Sequence, residues 1–285
     1  MTFRWLRETT RRKEPGDVRA LTARAWVLVL AGLVTGIVAP ATASDLCGTT
    51  ILANLTLDHD LNCSGNGLIV GADGITINLN GHTIVGPGSG VGISVSNRTG
   101  VVIVGGTVKN FLAGVQLVNS TAIVVKENRF TGNQDAVFLV GSSGSTIKEN
   151  TAWQNSRVGV MLRPSGIRNS TQNLVAENTL TDNTNGIILV ETPTGNVLRE
   201  NMISGSTNAG INVNGGVSGN VIQENAFIGN AAGIRLNLGA TGLLPTGNSF
   251  IENTIAMNTC GITGPAGDNT FKENVLEGNA VDVCF

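Results

Sequence analysis

The dipeptide Glu-Asn returns seven times along this chain, at Glu127-Asn128, Glu149-Asn150, Glu177-Asn178, Glu200-Asn201, Glu224-Asn225, Glu252-Asn253 and Glu273-Asn274. Successive asparagines stand 22, 28, 23, 24, 28 and 21 residues apart. Self-similarity at that period marks a solenoid, in which each repeat buries its apolar surface only by stacking on its neighbours. Apolar side chains keep step with the dipeptide. Three places before each Asn stand Val125, Ile147, Val175, Leu198, Ile222, Phe250 and Phe271. Two places after come Phe130, Ala152, Leu180, Ile203, Phe227, Ile255 and Leu276. Other asparagines recur five residues later (Asn133, Asn155, Asn183, Asn230, Asn258, Asn279) and, in five repeats, five residues earlier (Asn173, Asn196, Asn220, Asn248, Asn269).

Each period therefore holds about three short strands of alternating polarity, separated by turns rich in Gly and Asn. No segment carries a sustained 3.6-residue apolar pattern, so helices do not alternate with these strands. Three strands per repeat must wind into a coil that stacks on the next one, giving parallel sheets around an apolar interior. Asn at matching corners is expected to take the left-handed backbone conformation and to hydrogen-bond from coil to coil. The frame extends upstream: His82 and Gly106 take the Asn position, with Leu79 and Ile103 three before and Ile84 and Val108 two after. The expected fold is an all-β, right-handed parallel β-helix solenoid of about ten coils. At about 4.8 Å per coil its length is about 45–50 Å.

Composition agrees. Charged residues are 13 % of the chain, against roughly 25 % in ordinary domains, while 41 % hydrophobic residues exclude disorder. The charge is unevenly placed. Seven basic residues, Arg4 to Arg24, precede an apolar run Ala25–Ala39 and an Ala41-Thr42-Ala43 site, so residues 1–43 read as a secretory signal peptide and residues 44–285 as one β-helix domain. The apolar run is about 15 residues, short of the roughly 20 a spanning helix needs, so no stable membrane span is expected after signal removal. With 7 basic and 3 acidic residues assigned to the leader, the 18 basic and 20 acidic residues of the whole leave 11 and 17, a net charge of −6. No basic patch remains to point to nucleic acid. The four cysteines all lie in the exported part, which favours disulfides. Three connectivities are open; the favoured one pairs Cys47 with Cys63 and Cys260 with Cys284, stapling the terminal turns.

The string Gly-Asn-x-apolar-x-Glu-Asn, at Gly195–Asn201 and Gly219–Asn225, resembles the right-handed parallel β-helix repeats of the pectin-lyase-like superfamily, especially the NosD-type repeats of exported bacterial proteins. Asp73-Gly74-Ile75 and Asn80-Gly81-His82-Thr83-Ile84 extend the resemblance toward the start. It implies the fold and a secreted, periplasmic or cell-surface location. It implies no single activity, because this fold hosts lyases, hydrolases, epimerases, copper-centre accessory proteins and adhesins. The Asn-x-Asp, Asp-Asp, Gly-His-Gly and Arg-x-Lys elements of galacturonan hydrolases do not occur. Asp58-His59-Asp60 lacks the proline of the epimerase string Asp-Pro-His-Asp. Asp135, Asp182 and Glu191 show no facing carboxylate or other partner, so no catalytic residue is assigned. The seven glutamates form a column where calcium is conceivable, but cations precede four of them (Lys126, Lys148, Arg199, Lys272). No metal ligand set and no resident cofactor are assigned. The two histidines of the exported part and the scattered Met161, Met202 and Met257 give little for copper.

The outward face of the longest strand is the place expected to differ from coil to coil. Its outward positions run Gln116, Phe138, Met161, Ile188, Asn212, Arg235, and two further on Val118, Val140, Arg163, Val190, Asn214, Asn237. The two 28-residue repeats place their extra residues just beyond it, at 164–172 and 239–247. These loops either wall a groove or fold down over the apolar stripe. The candidate binding set is Arg163, Glu191, Asn212, Asn214, Arg235 and Asn237, with Trp153 as a candidate sugar platform. The expected function is binding of polysaccharide or cell-envelope glycan on this face. The alternatives are a lyase- or hydrolase-like enzyme using the same groove and a NosD-like accessory or adhesin scaffold.

Overall fold

The computed structural model describes residues 46–240 and 242–284; the leader assigned to residues 1–43 lies outside them. The described residues form short strands, turns and bends, with no helix. The chain winds as a right-handed parallel β-helix of three sheets. Sheet A has 11 strands, from Thr50–Ile51 to Val281–Cys284. Sheet B has 10, from Leu55–Thr56 to Thr270–Lys272, and sheet C has 10, from Leu61–Asn62 to Val275–Glu277. Every named strand pair is parallel and joins a strand to its counterpart one coil away. The Asn frame read from sequence holds in register: Thr83, Thr107, Arg129, Thr151 and Thr179, each one place after its corner residue, pair in succession on sheet C.

Strands in sheets B and C are mostly three residues long and bury only their middle side chain, as in Val124–Lys126 and Arg129–Thr131. Those middle residues (Val125, Ile147, Val175, Leu198, Ile222 and Phe250 on sheet B) stack in a column excluded from water. Each such burial stabilises by about 1.5–3 kcal/mol before conformational entropy is charged against it. In the last coil Phe271 and Leu276 are only partly buried, because nothing described stacks beyond them, although Phe271 lies flat on Phe250 with ring centroids 4.8 Å apart. Sheet A strands are mostly six residues long and enter with a small residue, commonly Gly, that lets the corner close tightly. A Cβ on Gly186 would come within 2.2 Å of the Ile203 side chain.

Three asparagine ladders hold the corners, one between each pair of sheets. Asn178, at the B–C corner, is representative. Its backbone N–H and side-chain Nδ2 both donate to Asn201 Oδ1 in the next coil (3.1 and 2.9 Å), and Nδ2 also donates to the carbonyls of Ile147 and Ala176. Its own Oδ1 accepts the N–H of Asn150. A buried primary amide is costly unless satisfied, and here both of its ends are. Asn133 and Asn155 repeat the pattern at the C–A corner, where Ser206 interrupts the ladder between Asn183 and Asn230, and Asn173, Asn196, Asn220 and Asn248 repeat it at the A–B corner.

The left-handed corner residue is not the one expected. The B–C asparagines are absent from the positive-φ set, and the glutamate before each takes that conformation, at φ 54–56° from Glu127 to Glu273. The Asn needs its side chain turned inward to bond along the axis, so the residue before it makes the bend. Both favoured disulfides are present, Cys47–Cys63 and Cys260–Cys284.

Candidate functional site

The outward positions of sheet A align in register as the alternation implied. Gln116 pairs with Phe138, Phe138 with Met161, Met161 with Ile188, Ile188 with Asn212 and Asn212 with Arg235. Two residues further along runs a second column, Val118, Val140 and Arg163 and, after a break in the pairing, Val190, Asn214 and Asn237. From Gln116 to Arg235 is five rungs, about 24 Å. Neither column contains a carboxylate.

The face has three zones. In the middle, Met161 and Ile188, each 7 % exposed, join Val158 in an apolar cluster separate from the interior, with Phe138 and Val190 against it. Toward the C-terminal coils the face is polar. Asn237 Nδ2 donates to Asn212 Oδ1 at 2.8 Å, and Asn208 Nδ2 to Asn185 Oδ1 at 2.7 Å. Arg235 makes one long contact, 3.5 Å to the carbonyl of Asn208, and pairs with no carboxylate among the described residues. Its Nε and Asn214 Oδ1 find no hydrogen-bond partner.

Toward the N-terminal coils a hollow of about 250 Å³ lies on the face, lined by Gly90, Val91, Leu112, Ala113, Gln116, Gln134, Asp135, Phe138 and Arg157. Here sequence reading missed a pair. Asp135, which showed no partner in the sequence, is buried and held by Arg157 of the next coil. Arg157 Nε donates to Oδ1 at 2.6 Å and its Nη2 donates to Oδ2. The hydrogen bond to Asp135 raises the Arg157 pKa above its ordinary value, so this cation is fixed. Arg157 also lies over the Phe138 ring, 5.7 Å from its centroid. The signal was available: Asp135 pairs with Val158, so Arg157 stands just before its counterpart.

The candidate set is brought together in part. Asn212, Asn214, Arg235 and Asn237 are neighbours on adjacent strands, Ala209–Asn214 and Ala232–Asn237. Arg163 lies on the same edge column, two coils from Asn214 and exposed. Glu191 is not on the floor: it sits past Val190 in the A–B turn, at φ 70°, with its N–H bonded to the Asn214 carbonyl. Trp153 is half-buried on sheet C between Thr131 and Thr181, so it faces a different side and does not belong to the sheet A site.

The two loops pack along the A–B corner at the edge of the face. The first closes with Ser165 and Arg168 exchanging backbone bonds, and it presses on Gly141, where a Cβ would fall 2.7 Å from that of Ser165. Asn169 accepts from the Thr192 hydroxyl. The second comes down on Gly215 and Gly216 through Gly239 and Leu243. These contacts fall on corner glycines at the edge of the face, while Met161 and Ile188 are buried with Val158 in their own cluster.

The glutamate column lies at the B–C corner. Lys126–Glu127, Lys148–Glu149, Arg199–Glu200 and Lys272–Glu273 are ion pairs, and Arg199 also reaches Glu177. The Glu127 carboxyl is held below its ordinary pKa, first by the hydrogen bond from Lys126. Among the described residues no three His, Cys, Asp or Glu side chains converge as a metal site.

Residues 48–281 match the family described as periplasmic copper-binding protein (NosD). No curated protein matches the chain. Among solved structures it is similar to a mannuronan C-5 epimerase A-module of Azotobacter vinelandii, at 14 % identity over 84 % of this chain and 89 % of that one, with a TM-score of 0.56. An alginate lyase from a Paenibacillus species superposes at 13 % identity, over 82 % and 91 %, with a TM-score of 0.60. An exopolygalacturonase from Thermotoga maritima does so at 10 % identity, over 84 % and 78 %, with a TM-score of 0.57. At these identities the likeness is one of fold.

Copper takes imidazole, thiolate or thioether donors. All four cysteines are in disulfides, and His59 and His82, each with Nδ1 facing a carboxylate, join no group of three His, Cys, Asp or Glu side chains among the described residues. Met161 is on sheet A, Met202 on sheet C and Met257 in a C–A turn. These residues do not assemble a copper donor set.

Proposed function

The chain belongs to the NosD family of periplasmic proteins, and from that premise we propose that it binds cell-envelope polysaccharide along the outward face of sheet A without cleaving it. One observation carries this reading. Asn212, Asn214, Arg235 and Asn237 form a compact polar group on the outward face of sheet A; Asn214, Arg235 and Asn237 are partly exposed, and the Arg235 guanidinium pairs with no carboxylate among the described residues. Side-chain amides suit sugar hydroxyls and Arg suits carboxylates. Strands spaced about 4.8 Å apart present such groups at a linear repeat, as a linear polymer requires. The superposed alginate and galacturonan enzymes give the reading a chemical context.

The charges support binding over glycoside hydrolysis. A glycosidase needs two carboxyls about 5–9.5 Å apart across the scissile bond. Asp135, the buried carboxylate of this face, is engaged by Arg157, and neither outward column supplies another. A periplasmic or cell-surface location goes with the family and with two disulfides, which persist in oxidising compartments.

The test is titration of the purified protein with neutral and acidic oligosaccharides, alongside assays for new reducing ends and unsaturated products. Saturable binding without product, weakened in Asn212→Ala and Arg235→Ala, is the expected result. Product formation would make the protein an enzyme; no binding to any glycan would remove the reading.

A further inference from the structure

We propose that the hollow between Gln116, Gln134 and Phe138 is a subsite for one uncharged pyranose ring, at the end of the face away from Arg235. The proposal rests on the glycan reading above and assigns its other end.

The hollow differs in chemistry from the C-terminal zone. Its walls are mostly apolar: Val91, Leu112, Ala113 and the ring of Phe138. Two side chains with amides line it, Gln116 on the strand Ala113–Val118 and Gln134 in the turn before the strand Asp135–Val140, and among the described residues neither makes a side-chain hydrogen bond. An apolar site with a few unengaged polar groups is the usual build of a small-molecule pocket. At about 250 Å³ it falls below the roughly 300–1,000 Å³ of clefts that take drug-sized ligands, so it suits one ring rather than several. The C–H face of a pyranose can rest on Phe138 while its hydroxyls meet the glutamine amides, each of which offers a donor and an acceptor.

The preference for an uncharged ring follows from the one ion pair present. Asp135 and Arg157 neutralise each other through two hydrogen bonds, so the lining carries no charge left to compensate. A uronate here would bring an unpaired carboxylate against an apolar wall beside a buried Asp, which is costly. By contrast Arg235, about 24 Å along the face by rung count, pairs with no carboxylate among the described residues. The face thus grades from a neutral hollow to a cationic polar zone, and its ligand should carry neutral and acidic sugars at different positions.

The experiment is calorimetric titration of the described domain with cellohexaose as the neutral probe and a mannuronate hexamer as the acidic one. It uses wild type, the Gln116→Leu/Gln134→Leu double variant and Arg235→Ala. Wild type should bind both probes. The double variant should weaken cellohexaose by about tenfold, the loss of two ordinary hydrogen bonds, at an unchanged unfolding midpoint. Arg235→Ala should weaken only the acidic probe. Equal loss of both probes in the double variant would overturn the neutral assignment, as would binding of the acidic probe alone; both outcomes leave the glycan reading standing. If neither probe binds wild type, this subsite falls, and the glycan reading then stands or falls on the wider oligosaccharide titration above. Phe138→Leu keeps the packing against Met161 while removing the ring, and an unchanged cellohexaose affinity in it would also count against the subsite.

Discussion

The corners of this solenoid and the outward face of sheet A are made by the same turns of chain, yet they vary in opposite ways. At the corners Asn recurs in most coils, and a middle one such as Asn178 is bonded to the coils on either side of it. On the face, six successive rungs carry Gln116, Phe138, Met161, Ile188, Asn212 and Arg235, no two alike. Repetition belongs to stacking, because each coil meets the same neighbour geometry. Variation gathers where stacking makes no demand, and there a ligand can select. In a solenoid the informative residues are those that break the repeat.

Loss of a middle-ladder residue should have the largest effect. Asn178→Leu leaves Asn150 N–H, Asn150 Nδ2 and the carbonyls of Ile147 and Ala176 without their partner. At about 1–3 kcal/mol per stranded buried group, with partial relaxation, the expected cost is about 3–5 kcal/mol in urea unfolding. Asn274→Leu, in the last described coil and half-exposed, should cost about 1 kcal/mol. Equal costs at the two sites would mean that the ladder does not act cooperatively along the axis.

Arg157→Ala comes next, because it is the one change on the face expected to act on stability. It strands the buried Asp135 carboxylate. Removing one member of a fully buried pair costs about 3–5 kcal/mol; with the guanidinium 40 % exposed, about 2 kcal/mol is expected. Arg163→Ala, exposed on the same face, should stay within about 0.5 kcal/mol. A destabilised Arg163→Ala would show that the face, like the corners, is structural.

These contrasts also separate what could be read from sequence from what could not. The three polar corner columns and the burial of their flanking residues follow from spacing, because a coil of fixed circumference forces equal positions to stack. Which member of Glu-Asn makes the bend does not follow, since the two always travel together; only the inward role of the Asn side chain decides it. The Asp135–Arg157 pair lies 22 residues apart, one coil, and emerges only when the register is projected. Trp153, three places after its Asn corner, falls on sheet C rather than on the long strand, so it does not share a face with the other candidates.

The glutamates give a smaller and opposite effect. A non-glycine residue in the left-handed conformation costs about 1–2 kcal/mol, and Gly returns about 0.5–1 of that through its unfolded-state freedom. Glu224→Gly, where Gln223 precedes and no ion pair is lost, should therefore stabilise by about 0.5 kcal/mol. In Glu127→Gly the gain should shrink, since the Lys126 pair goes with it. A loss of stability in Glu224→Gly would assign the carboxylate column a structural role beyond the bend.

The smallest effect is expected where the corner ladder starts. In the early coils Asp60 takes part of the work that Asn does later: its Oδ1 accepts the Thr83 N–H at 2.8 Å and faces His82 Nδ1 at 3.2 Å. These contacts, the backbone one first, hold its carboxyl below the ordinary range. A carboxylate depressed on folding contributes its full stability above the unfolded pKa of about 3.9 and loses it as pH falls through the lower folded value. Asp60→Asn keeps an acceptor for Thr83 but does not titrate, so below about pH 4 its unfolding midpoint should fall less steeply than that of wild type. The group is exposed, and the difference should be confined to that acid limb. Identical acid limbs would mean that the first corner is held by the neutral backbone bond alone, and that an acidic ladder residue differs from an amide only in name.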